Sequence, residues 1–266
     1  MECTIGLAQC CHPNNESVLE MVRRWVIRAK KQGVQLLVFP ESLMTRYELE
    51  VGAFVEAAQT LDGPFASSLN EMAARYKLWM VYTLNEQSKE GKPFNTAVLV
   101  DDEGCVRSVY RKVHLFDTDF TKESNRMMRG TYLPAPVDTP FGKIGLSICY
   151  DLRFPEVARS LALQGCQILI TPAAWVDGRL KADQWKTLLS ARAIENEIFV
   201  CGVSRVDEGY IGQSCIVGPD GVIHAMGGVT EELVCATISC DDIDRVRKVM
   251  PCLEHRMPSV YFRESC

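Results

Sequence analysis

The chain has 266 residues, 47% hydrophobic and 24% charged, a balance that permits a packed core and excludes a disordered chain. Twenty-nine basic against thirty-four acidic residues leave a net charge of −5, and with no Lys/Arg run to track phosphates, nucleic acid is not an expected partner. The start, Met1-Glu-Cys-Thr-Ile-Gly6, lacks a basic segment followed by an apolar one, and no apolar stretch approaches the roughly 20 residues of a membrane span. A cytoplasmic protein with no membrane association is the expectation.

Strand and helix patterns alternate from the beginning. Ile5 to Ala8 reads as a strand, Val18 to Ala29 as an amphipathic helix and Val34 to Phe39 as a buried strand. A second helix is expected around Val51 to Tyr76. Strands follow at Leu78 to Thr83, Asn95 to Val100 and Val106 to Tyr110, the last two joined by the turn Asp101-Asp-Glu-Gly104, which brings antiparallel pairing into a parallel pattern. Asp117 to Pro140 is polar and irregular, longer than a compact domain leaves without function, and is expected to border a site.

The pattern resumes with the strand Lys143 to Cys149, a helix from Pro155, the strand Gln167 to Thr171 and a helix from Lys181 to Asn196. Short strands are expected at Phe199 to Val203, Gly212 to Val217, Val222 to Ala225 and Leu233 to Ile238, then a helix after Ser239. No repeat, linker or low-complexity stretch divides the chain, so residues 1–266 are read as a single domain with two sheets and helices outside them. The twelve cysteines include no Cys-x-x-Cys pair. Most are read as reduced, small hydrophobes. Cys252-Leu-Glu-His255 has near-metal spacing but no second ligand pair, so no metal is expected.

Three strand ends carry reactive side chains. Phe39-Pro-Glu-Ser42 places Glu41 where an α/β sheet opens its ligand crevice, as a general base or as a solvated loop carboxylate. Tyr110-Arg-Lys-Val-His-Leu-Phe-Asp117 places Lys112 before the irregular segment, to stabilise a developing oxyanion or to face solvent. Gly145-Leu-Ser-Ile-Cys149 ends a hydrophobic strand in a thiol. The free N–H groups of the helix after Pro155 are expected to lower the pKa of Cys149 and to bind an oxyanion; a buried structural cysteine is the alternative. Among the four histidines none fits the role of base better than Glu41, and His114 is read as structural or orienting.

These three motifs, in this order and with Gly145-Leu-Ser-Ile-Cys-Tyr-Asp-Leu-Arg-Phe-Pro-Glu156 complete, resemble the nitrilase superfamily of carbon–nitrogen hydrolases over nearly the whole chain. The resemblance implies a four-layer αββα sandwich of two mixed β-sheets flanked by helices, with no cofactor. It implies Glu41 as base and then acid, Lys112 as oxyanion stabiliser and Cys149 as the nucleophile that forms a thioester. Glu123 stands where members of the superfamily have a second glutamate, to orient Lys112 or the substrate amine. Cys149-Tyr-Asp151 is similar to the amidase-like branch, and Pro172-Ala-Ala-Trp-Val-Asp-Gly178 with Ala191-Arg-Ala-Ile-Glu-Asn196 resembles ω-amidases and deaminated glutathione amidases. A small carboxylate-bearing 2-oxo amide is therefore the expected substrate. An N-carbamoyl amino acid hydrolase, an aliphatic amidase and a non-catalytic binding module on the same fold are the rivals.

Tyr150 is expected to offer its backbone N–H to the oxyanion. Arg153 and Arg129 are candidates to fork onto a substrate carboxylate; for Arg153 a salt bridge to Asp151 or Glu156 competes with that role, and for Arg129 plain solvation does. Trp175 is read as a pocket wall or a core residue. The resemblance also suggests a homodimer or higher oligomer, and the apolar tail Met257-Pro-Ser-Val-Tyr-Phe-Arg263 is expected to pack across such an interface.

Overall fold

The computed structural model describes residues 2–45 and 51–261. Its first half builds a six-stranded sheet from β1 (Glu2–Gln9), β2 (Leu36–Val38), β3 (Trp79–Glu86), β4 (Phe94–Val100), β5 (Val106–Arg111) and, from the far end of the chain, β12 (Glu232–Ser239). The order is β12-β1-β2-β3-β4-β5. β1, β2 and β3 run parallel, while β12, β4 and β5 join antiparallel. A second sheet repeats the plan with β6 (Val137–Thr139), β7 (Gly142–Leu146), β8 (Ile168–Ala173), β9 (Phe199–Ser204), β10 (Cys215–Val217) and β11 (Ile223–Met226), in the order β11-β10-β9-β8-β7-β6. Here the parallel centre is β7-β8-β9.

All three residues of β2 are buried because both faces of the sheet are covered, which is why its sequence is continuously apolar rather than alternating. Leu36 and Val38 join the core between the sheets with Ile168, Ile170 and Cys201. Leu37 points the other way, into a cluster with α1 (Val18–Lys31) and α3 (Pro64–Tyr76). On the opposite outer face α4 (Pro155–Leu163) and α5 (Lys181–Asn196) supply Leu161, Trp185 and Leu189. Gly202 permits that close approach: a Cβ there would lie 2.6 Å from the Trp185 ring. Helix, sheet, sheet and helix are thus four layers, an αββα sandwich. The chain closes with α6 (Asp241–Val249) and the single turn α7 (Pro258–Tyr261); Phe262 and Arg263 of the apolar tail lie outside the described residues.

Several expected elements differ in extent. The helix expected over Val51 to Tyr76 is two, α2 (Val51–Ala57) and α3, because Gly63-Pro64 starts a new helix with Pro at its first turn. The strand expected from Gly212 begins only at Cys215, since Gly212 and Gln213 take φ of 62° and 51°, incompatible with a ladder. The irregular segment holds β6 and a 3₁₀ turn at Glu123–Asn125. Among the described residues no helix is long and apolar enough to cross a membrane.

Candidate active site

Glu41 sits just beyond β2, only 3% exposed. Its turn is pinned from two sides: Thr83 Oγ1 donates to Pro40 O at 2.9 Å and accepts from Leu43 N at 3.2 Å, while Arg205 Nη1 donates to Ser42 O at 2.7 Å. Ser42 itself takes φ 56°, so the chain reverses sharply and leaves the carboxylate aimed inward. Lys112 follows β5 directly. Its N–H donates to Asn95 O at 2.9 Å and its carbonyl accepts from Gly130 N at 2.8 Å, so the backbone is fixed on both sides.

The side chain of Lys112, 2% exposed, reaches two carboxylates. Nζ lies 2.8 Å from Glu41 Oε1 and 2.8 Å from Glu123 Oε2. Asn95 Nδ2 bridges the same pair, donating to Glu41 Oε1 at 2.7 Å and Glu123 Oε1 at 3.1 Å. The remaining lone pairs are met by backbone: Ala174 N donates to Glu41 Oε2 at 2.8 Å and Phe116 N to Glu123 Oε2 at 2.7 Å. Burial opposes ionisation of Glu41, but the Lys112 charge and the hydrogen bonds outweigh it and hold the carboxyl below the usual glutamate range. Burial likewise opposes a charge on Lys112, and Glu123 and Glu41 overcome it, holding the ammonium well above its ordinary value.

Cys149 opens a 3₁₀ turn, Cys149–Arg153, three residues beyond the end of β7 and before α4. Its φ of 47° is left-handed, a strained setting for a residue with a Cβ and one that presents a side chain at the tip of an elbow. Asp151, fully buried, ties the elbow down. It accepts from Ile148 N at 2.9 Å, Tyr110 Oη at 2.8 Å and His114 N at 3.1 Å, with His114 Nδ1 at 2.8 Å. His114 stacks on Phe154 with ring centroids 3.7 Å apart; it is not one of the residues that line the cleft. The thiol does not behave as the sequence suggests. Burial pushes its pKa well up, and the Glu41 charge, hydrogen-bonded to the sulfur, adds to the rise. Burial and the neighbouring carboxylate thus favour the neutral thiol, against the expectation of a lowered pKa.

Glu41, Lys112, Glu123 and Cys149 line a cleft of about 520 Å³, counted to its open mouth, together with Tyr150, Arg153 and Trp175. That is small-molecule size. Arg153 pairs with neither Asp151 nor Glu156: it donates to Gln184 Oε1 at 2.8 Å and lies 4.8 Å from the Trp175 ring centroid. Asp151 is already saturated by four donors. Trp175 is both wall and core, 4% exposed and against Trp185. Arg129 is not brought to the site; it is exposed and absent from the cleft lining. Asn95, Ala174 N, Thr121, Lys181 and Tyr210 were not read from sequence. Only Asn95 left a signal, a polar residue heading an apolar strand. Among the described residues no three His, Cys, Asp or Glu side chains gather as a metal site, and Cys252 and His255 are both exposed.

Comparison with known proteins agrees with the geometry. The carbon-nitrogen hydrolase family model matches residues 4–248. The deaminated glutathione amidase of Escherichia coli O157:H7 is 34% identical over 91% of this chain and 92% of its own. Among solved structures, the Caenorhabditis elegans NitFhit protein superposes with a TM-score of 0.90 at 28% identity, over 98% of this chain and 66% of that one. Saccharomyces cerevisiae Nit3, a member of branch 10 of the nitrilase superfamily, gives 0.85 at 27% identity over 96% of both chains. Fold, ordered motifs and relatives converge, and the chain belongs to the carbon-nitrogen hydrolase family of the nitrilase superfamily.

Proposed function

We propose that this hydrolase cleaves the amide C–N bond of a small carboxylate-bearing amide, a 2-oxo amide such as deaminated glutathione or 2-oxoglutaramate, through a thioester on Cys149. The observation that carries the reading is a thiol hydrogen-bonded to an ionised Glu41, with Lys112 held between Glu41 and Glu123 at the closed end of the cleft. Glu41 takes the thiol proton as sulfur attacks the amide carbon. Lys112 and the Tyr150 N–H stabilise the tetrahedral oxyanion, a role that benefits from the water-poor surroundings. Collapse breaks the C–N bond as Glu41 returns its proton to the leaving nitrogen. Water, deprotonated by Glu41, then attacks the thioester, and the acid and the free thiol are released. Glu123 and Asn95 keep Lys112 and Glu41 in place.

The substrate assignment is supported by the similarity to deaminated glutathione amidases and by Arg153 on the cleft wall. The test is to incubate the protein with 2-oxoglutaramate, deaminated glutathione, N-carbamoyl amino acids and neutral aliphatic amides, following ammonia, acid and carbon dioxide, while mass spectrometry looks for an acyl adduct. Turnover of a 2-oxo amide with an adduct on Cys149, both absent from Cys149→Ala, is the expected result. Turnover confined to carbamoyl or neutral amides would overturn the substrate; turnover independent of Cys149 would overturn the mechanism.

A further inference from the structure

Charge is distributed unevenly along the cleft. Its acids are Glu41 and Glu123, both at the closed end and both bound to Lys112. The outer part carries Arg153 and Lys181, neither of which makes an ion pair with a described residue. Arg153 spends one nitrogen on Gln184 and lies over Trp175. The Lys181 ammonium stands 5.7 Å from the Phe116 ring centroid. The first turn of α5 organises both: Lys181 opens the helix, Gln184 follows three positions on, and Trp175 Nε1 donates to Lys181 O at 3.0 Å.

Two cations sharing one recess repel each other unless an anion sits between them. Burial, and then the Arg153 charge, draw the Lys181 ammonium below its ordinary range. The closed end has the opposite character. Two carboxylates against one ammonium leave it net negative, so it accepts a neutral amide and disfavours a second anion beside the sulfur.

We propose that Lys181 is a specificity-determining residue which, with Arg153, receives the substrate carboxylate at the outer part of the cleft and so selects amides whose acid group lies at the opposite end of the molecule from the scissile bond. This rests on the amidase reading and adds to it a residue and an orientation. Succinamate has that arrangement, and butyramide is its neutral counterpart of equal chain length.

The experiment compares the two amides in the parent, Lys181→Met and Lys181→Arg, by kinetics and, in the Cys149→Ala background, by calorimetric binding. Lys181→Met should lower the succinamate-to-butyramide ratio of kcat/KM about ten-fold, mainly through KM, the scale of one lost charge-assisted contact. Lys181→Arg should restore most of it, and the ratio of binding constants should move in parallel. A ratio that stays within about two-fold of the parent, equal weakening of both amides, or no measurable succinamate binding to the Cys149→Ala protein would each overturn the proposal. If the parent turns over neither amide, the amidase reading is decided separately by the 2-oxo amides, while the calorimetric ratio still decides the role of Lys181.

Discussion

At the scale of the residue, a single ammonium stands between two carboxylates, and in the proposed mechanism it holds the oxyanion. Lys112→Met would leave Glu41 and Glu123 buried with like charge and unpaired, so one of them must take up a proton. Turnover is expected to fall at least about 10²-fold, the cost of a lost oxyanion donor, and kcat measured on purified, folded variant is the check. Asn95→Ala removes the neutral bridge between the carboxylates while keeping every charge; kcat should drop about 10-fold or more with the circular dichroism spectrum unchanged. The pH profile follows from Glu41. Its pKa is depressed in the folded chain, so in the proposed role of base it is ionised throughout the neutral range, and activity should be lost only as pH falls below the ordinary glutamate value of about 4.3. The same sign governs stability. Glu41 contributes above its unfolded pKa, and that contribution disappears as pH falls through the lower folded value. An acid limb near neutrality would contradict this account.

Between residue and fold stands the elbow that carries Cys149. Strand β7 ends, the chain turns through a left-handed residue, and a 3₁₀ turn intervenes before α4. Asp151 makes this geometry affordable to the fold by joining Ile148 on the elbow to Tyr110 on β5 and His114 beyond Lys112. It therefore couples the positions of Cys149 and Lys112 across the two sheets. Asp151→Ala would strand several buried donors, and destabilisation of about 3 kcal/mol is expected, read as a lowered urea midpoint. A midpoint unchanged from the parent would show that the elbow is held by other contacts. Local pattern identified this element as a strand ending in a thiol, but the 3₁₀ turn and the pushed-up thiol arise from burial and from Glu41, which stands 108 positions earlier in the chain.

At the scale of the whole molecule, the two sheets pack so that Glu41 and Lys112 from the first meet Cys149 from the second. The outer surface also carries Val249, Met250, Met257, Val260 and Tyr261, each at least 57% exposed. We propose that the chain pairs with a second copy that covers this apolar stretch. Light scattering should give twice the chain mass, and removal of residues 257–266 should reduce it to one; a truncated chain that remains a fully active dimer would refute the idea. The sequence by itself determined what depends on neighbours in the chain: the strand and helix periods, the buried run before Glu41, and three reactive side chains at strand ends in a recognisable order. Only tertiary structure decided what depends on distant partners. It brought Ala174 N and Lys181 to the cleft, set Asn95 between Glu41 and Glu123, gave Arg153 to Gln184, left Arg129 outside and pushed the Cys149 thiol pKa up, because sheet order, burial and electrostatic coupling are set by contacts that no local window of sequence contains.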